Sequence, residues 1–232
     1  MQNAEIALPG INTYNEKPLH AMLKSYFEPD ASAHEIRVGA YIADIVGEDG
    51  IIEIQTAGLH KLRSKLEAFL EVAVVTVVHP VARSKWLVWL DSDSDTPRRR
   101  KSPKTGTFYE ALPELYQIRA LLAHPNLRIS IVLVDVEERR RKSTASRKGY
   151  IREERVPLSI ADRLDLRCAA DWAAMVPPSL PAPFTSQDYA KAARLSPGKA
   201  RQALLVLTQM GAVARCGKQR NSILYTHKEN TT

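Results

Sequence analysis

Asp44, Glu53 and Gln55 are the residues whose types and spacing could do chemistry. They flank Gly47-Glu48-Asp49-Gly50, a stretch with the composition of a tight turn. If Val46 pairs with Ile51 across that turn, Ile45 faces Ile52 and Asp44 stands opposite Glu53, with Gln55 beside them. Like charges so placed destabilise a sheet, and acids at the end of an apolar stripe want a cation between them. The chemistry of such a pair is divalent-metal binding by oxygen ligands. The plainer reading is a solvated hairpin tip whose edge charges discourage aggregation.

The elements that must hold these groups can be read around them. Alternation from Ile36 to Ile42 and from Ile51 to Ile54 predicts two strands joined as a hairpin, with Ile36, Val38, Ala40 and Ile42 on one face of the first. Leu59, Leu62, Leu66, Phe69 and Leu70 then recur at helical spacing, with Lys61, Arg63 and Lys65 between them. A covering helix straight after Gln55 makes the second strand interior. Upstream, Glu16 to Phe27 reads as a helix with Asn15 as cap, Pro18 early, and Leu19, Leu23 and Phe27 as its apolar stripe. Glu16 there also suits the helix dipole.

An acid, a short turn, Glu-x-Gln on the next strand and then a helix resembles the core of the PD-(D/E)xK nuclease superfamily. The Glu-x-Gln form is similar to the nuclease domain of competence protein CoiA-like proteins. The resemblance spans roughly the first half of the chain. It implies a restriction-endonuclease-like mixed α/β sheet flanked by helices, with Asp44 and Glu53 as ligands of Mg²⁺ or Mn²⁺. Gln55 stands where most members carry lysine, and Glu16 matches the acid many carry on their first helix. Glutamine supplies a dipole in place of a charge near the attacking water; Lys61 or Lys65 on the following helix could supply the missing cation.

Val72 to Val78 is a continuous β-branched run closed by His79-Pro80, and reads as a strand buried on both faces. Trp86–Leu90 and Arg128–Val136 read as further strands, separated by a helical stretch from Tyr109 to Ala123. Two basic segments, Thr96 to Thr107 and Glu137 to Arg152, have the composition of adaptable loops. The first carries Arg98, Arg99, Arg100, Lys101 and Lys104, the second Arg139, Arg140, Arg141, Lys142, Arg147, Lys148 and Arg152. Guanidinium forks match phosphate oxygens, so these are expected to contact DNA; otherwise they are solvated, mutually repelling runs. Arg155 to Pro178 reads as mostly helical.

The prolines between Pro177 and Pro183 mark a linker, dividing residues 1–176 from residues 184–232. In the second part Thr185 or Ser186 caps a helix over Gln187–Ala193, and Ser196-Pro197 opens another that Gly211 ends. Ala200, Ala203, Leu204 and Leu207 form its inner face. Val213–Lys218 and Ser222–Thr226 follow as a small hairpin. This layout resembles a winged helix-turn-helix domain, which implies DNA contacts from Lys199 and Gln202 on the second helix and from Lys218 and Arg220 on the wing. Winged helices also dock proteins.

With 232 residues, 44% hydrophobic and 25% charged, the composition is that of an ordinary globular chain, and a net charge of +7 favours an anionic partner. No signal peptide or membrane-spanning run is expected. Cys168 and Cys216 lack metal-ligand spacing and read as reduced cytoplasmic thiols; the six histidines show no zinc pattern, and His60 is the one nearest the hairpin helix. The expected function is metal-dependent DNA cleavage, with a homodimer as a further state. The alternatives are a non-catalytic DNA-binding regulator on the same scaffold and a protein-docking adaptor.

Overall fold

The computed structural model describes residues 17–90 and 98–228. Helix α1 (Pro18–Phe27) opens with proline at its first turn and buries Leu19, Met22 and Leu23. Three short strands follow: β1 (His34–Val38), β2 (Tyr41–Gly47) and β3 (Gly50–Ile54). The β2–β3 hairpin has the predicted register, Val46 opposite Ile51 and Ile45 opposite Ile52. The run from Ile36 to Ile42 is not one strand. Gly39 adopts φ +60, where a left-handed turn costs glycine little, and the chain reverses so that Val38 pairs with Tyr41. Ile36 and Ile42 therefore belong to opposite arms of a second hairpin.

Helix α2 (Arg63–Leu70), entered through a 3₁₀ turn at Leu59–Leu62, buries the whole predicted stripe. Strand β3 runs parallel to β4 (Val75–Trp89) and lies between β2 and β4, hence interior. The His79-Pro80 pair does not end β4. Gln55 N–H donates to the Val78 carbonyl, so even-numbered residues of β4 turn their backbone groups toward β3. Pro80 is the next such residue, beyond the last β3 pair at Ile54 and Val78, and its missing N–H leaves no partner unmet. The strand continues past a bulge between Ala82 and Lys85, where β5 (Arg98–Lys101) pairs with it in place of β3.

Between them and the next strand lies irregular helix, including α3 (Leu112–Leu115), whose Leu112, Leu115 and neighbouring Ile118 are fully buried. Strands β6 (Leu127–Lys142) and β7 (Tyr150–Leu166) complete a seven-stranded mixed sheet in the order β1-β2-β3-β4-β6-β7, with β5 beside β4. Two predictions are corrected here. The arginine-rich segments are loops only in part: residues 98–101, 137–142 and 150–152 are strand, held by ladder pairing to β4 and between β6 and β7, while residues 102–107 and 143–149 carry no strand, as expected of loops. Residues 155–166 are strand, because the ladder to β6 overrides their helix-like spacing and bulges absorb the mismatch.

Helices flank the sheet on both faces. Successive residues of β4 point oppositely, and Val77 belongs to the core under α2 whereas Val78 belongs to the core under α1. After a 3₁₀ segment at Ala169–Met175, the proline-rich stretch carries no helix or strand, yet Leu180 is buried and its carbonyl accepts from His227 Nε2 at 3.1 Å. Helices α4 (Ser186–Ala192) and α5 (Pro197–Gln209) and the hairpin β8 (Val213–Gln219) and β9 (Ser222–His227) follow. Thr185 and Asp188 form a capping box, and Ala200, Ala203, Leu204 and Leu207 are the buried face of α5. These residues share one apolar core with Leu112, Leu115 and Ile118, so residues 184–228 pack directly on the preceding part. No helix of the described residues is long and apolar enough to cross a membrane.

Candidate active site

The hairpin register delivers Asp44 and Glu53 to one cleft of about 580 Å³, whose lining includes His20, Lys24, Gln55 and Lys65. Each element contributes for a local reason. Asp44 lies one step past the last paired residues of β2 and β3. There Ile54 N–H donates to its Oδ2 at 2.7 Å, and Asp44 N–H donates to Glu53 Oε1 at 3.2 Å. Leu62 and Leu66 seat α2 on the sheet, and Lys65 beside them reaches Glu53 Oε2 at 2.6 Å. Helix α1, anchored by Leu19 and Leu23, brings His20 Nε2 within 3.2 Å of Asp44 Oδ2.

The two acids live in different fields. Burial pushes the Glu53 carboxyl up, and the Asp44 charge adds to this; Lys65 offsets only part, leaving its pKa at about 7. Burial also raises Asp44, but the hydrogen bonds from His20 and Ile54 outweigh it and hold that carboxyl below the usual range. With a side chain only 2% exposed, Glu53 is a buried acid against an ionised neighbour. Such a pair is relieved by a cation. Among the described residues no three His, Cys, Asp or Glu side chains cluster to hold a metal, and an ion in the cleft would have a donor set of two carboxylates, Asp44 and Glu53. That set suits Mg²⁺, which keeps several waters and takes one or two carboxylates plus substrate phosphate.

Gln55 lines the cleft, but its Nε2 donates to the Ala57 carbonyl at 2.6 Å and so braces the loop into α2. Behind it His79, buried and held neutral by desolvation, donates from Nδ1 to the Gln55 carbonyl at 2.7 Å. Lys61 is absent from the cleft lining, and Glu16 lies outside the described residues. Sequence reasoning missed His20, Lys24 and Glu35, since nothing local ties α1 to residues 24 positions further on. His60 faces away, bonded through Nδ1 to Gln117 at 2.7 Å.

The basic segments are mostly paired. Arg99 stacks on Trp86 at 4.0 Å and reaches Glu137 at 3.0 Å. Arg139 meets Glu137 and Glu154, Arg141 meets Glu153, and Lys104 meets Glu110 at 3.1 Å. Arg140 stacks on Tyr150 at 4.0 Å and pairs with Glu138 at 2.7 Å. Arg98 falls in β5 by its backbone; Arg100 and Lys101 are exposed on the same strand. In the C-terminal part Lys199 is exposed on the first turn of α5, and Lys218 and Arg220 are exposed on the hairpin. Gln202 instead lines a groove with Arg63, Gln117 and Arg119, against the preceding part of the chain.

Fold and cleft together define a mixed α/β protein with two opposed acids on the adjacent strands β2 and β3 and a lysine from α2 beside them. The chain belongs to the family described as a domain of unknown function (DUF8091), whose model matches residues 17–167. That span contains α1, the whole seven-stranded sheet and every cleft residue named above. The chain is also 32% identical over 221 residues to an uncharacterized protein of Treponema pallidum (strain Nichols), covering 93% of this chain and 86% of that one. No solved structure matches.

Proposed function

We propose that the chain hydrolyses phosphodiester bonds of DNA at the Asp44–Glu53 cleft, on a restriction-endonuclease-like scaffold of the PD-(D/E)xK type. The observation that carries this reading is the meeting of Glu53 with Lys65 at 2.6 Å beside Asp44. It restores from α2 the cation that Gln55 lacks. Asp44 and Glu53 would hold Mg²⁺ or Mn²⁺, which supplies Lewis-acid charge to the scissile phosphate. Lys65, 2.6 Å from Glu53, would favour proton loss from the attacking water, and His20 would fix the Asp44 carboxylate. Gln55 serves the loop, so the water-orienting role passes to Lys65.

The C-terminal part is read as a winged helix-turn-helix. In support, α4, a turn at Arg194, α5 and the two-stranded β8–β9 hairpin follow in that order, and Phe184 makes a single antiparallel bridge to Tyr225. Because Val206 of α5 is buried and Gln202 lines the groove beside Arg63 and Arg119, DNA contact would fall to Lys199 at its start and to Lys218 and Arg220 on the wing. A non-catalytic DNA-binding regulator is the second reading. It is favoured by the engagement of both Glu53 oxygens within the protein, by Asp44 N–H and by Lys65.

Plasmid DNA separates the two. Nicking that needs Mg²⁺ or Mn²⁺ and is lost in Asp44→Ala and Glu53→Ala supports the nuclease. Binding that survives EDTA, with no cleavage under any divalent ion, supports the regulator.

A further inference from the structure

A second cavity, of about 470 Å³, adjoins the acid cleft and shares Lys17 and Thr56 with it. Its other lining comes from the start of α1 and from β7, including Arg152 and Arg155. The carboxylates on its rim are already committed: Glu153 to Arg141 at 2.9 Å and Glu154 to Arg139 at 3.2 Å. By contrast, neither Lys17 nor Arg152 forms an ion pair among the described residues. Arg155 does, but it shares the buried Glu138 with Arg140, at 3.4 and 2.7 Å. Positive charge therefore exceeds negative charge in a concave site next to the two acids. Burial and the charges of Arg152 and Arg140 lower the Arg155 pKa, the direction expected of cations crowded without enough anions.

We propose that this cavity binds a non-scissile backbone phosphate of the DNA strand whose neighbouring phosphodiester lies in the Asp44–Glu53 cleft. Lys17 and Arg152 contact the phosphate, Arg155 backs them, and Thr56, common to both cavities, marks the path of the strand between them. The proposal rests on the nuclease reading for its substrate, but its own chemistry is phosphate recognition and needs no metal. Fork-shaped guanidinium donors suit a phosphate held at a defined place.

The test separates binding from cleavage. A fluorescein-labelled DNA oligonucleotide is titrated with the full chain in EDTA at several salt concentrations between about 50 and 200 mM, a range over which phosphate contacts weaken strongly. Lys17→Glu and Arg152→Glu change exposed side chains, so the fold is retained. Each is expected to weaken binding at least about tenfold and to lower the log–log salt slope by roughly one. Lys191→Glu, an equal charge change on α4, should cost far less. Inorganic phosphate should compete with the oligonucleotide for the unmodified chain and less for Arg152→Glu. Unchanged binding in Lys17→Glu and Arg152→Glu, or an equal loss in Lys191→Glu, overturns the subsite. If cleavage still depends on Asp44 in that case, the nuclease reading stands alone. The reverse pattern, weakened binding in Arg152→Glu with no cleavage by any form, keeps the phosphate subsite and removes the nuclease.

Discussion

Lys65 Nζ lies 2.6 Å from Glu53 Oε2, joining α2 to β3 across the cleft, while the Gln55 side chain two residues after Glu53 turns back to Ala57. The cation beside the two acids therefore comes from the helix, and the Gln55 side chain braces the loop that leads into it.

Lys65→Met keeps the apolar stem and removes the charge. It should lower the single-turnover cleavage rate by about 10²-fold or more, the usual scale for losing one charge-stabilising group. Gln55→Ala should cost less than about tenfold. Rates measured at saturating Mg²⁺ decide this, and a larger loss from Gln55→Ala than from Lys65→Met would return the catalytic role to glutamine.

The raised pKa of Glu53 makes stability depend on pH. Its folded value of about 7 exceeds the ordinary 4.5, so the folded protein holds a proton there that the unfolded chain has released. Stability is thus lost as pH rises from about 4.5 through 7 and levels off above, by no more than about 3 kcal/mol from this group. Glu53→Gln removes the titration. Its Tm relative to the unmodified chain should improve between pH 5 and pH 8 in EDTA, as thermal melts would show. In the unmodified chain Mg²⁺ must displace that proton, so its affinity should rise across pH 7.

Leu66 is fully buried beneath α2 next to Lys65. Leu66→Ala should cost about 2–5 kcal/mol in urea unfolding, because the cavity it leaves collapses only in part. It should also lower cleavage under conditions where the protein stays folded, since it loosens the helix that carries the cation.

The hairpin around the acids was legible because period two and turn chemistry are local signals. Pairing of Val46 with Ile51 sets the register through the turn alone, and the stripe from Leu59 to Leu70 marks the covering helix. What failed was non-local. The arginines of β5 and β6 look like loops until Glu137, Glu138, Glu153 and Glu154 are brought opposite or alongside them by the ladder. Pro80 looks like a strand end until β3 stops beside it. His20 carries no motif at all; only the packing of α1 on the sheet brings it to Asp44.

The proline-rich stretch reads as a spacer, yet the core crosses it. Tyr189 O–H donates to the Met175 carbonyl at 2.9 Å, and Gln209 Nε2 donates to the Arg119 carbonyl at 2.7 Å. Calorimetry of the full chain should show one cooperative transition. Two separated transitions would mean that residues 184–228 fold apart.

In the C-terminal part, Lys199→Glu on α5 and Arg220→Glu on the β8–β9 hairpin should each weaken DNA binding severalfold, whereas Gln202→Ala should leave it unchanged, because Gln202 faces the groove beside Arg63 and Arg119. Fluorescence anisotropy checks this, and a strong effect of Gln202→Ala would point to a helix that leaves its groove on binding.

The central claim is that Asp44 and Glu53 jointly hold a divalent ion, and Mn²⁺ binding followed by electron paramagnetic resonance tests it most directly, with and without a DNA oligonucleotide. The account predicts a bound signal that strengthens when DNA is added and vanishes in both Asp44→Ala and Glu53→Gln. A signal of equal strength in either variant, or none from the unmodified chain even with DNA, would contradict it.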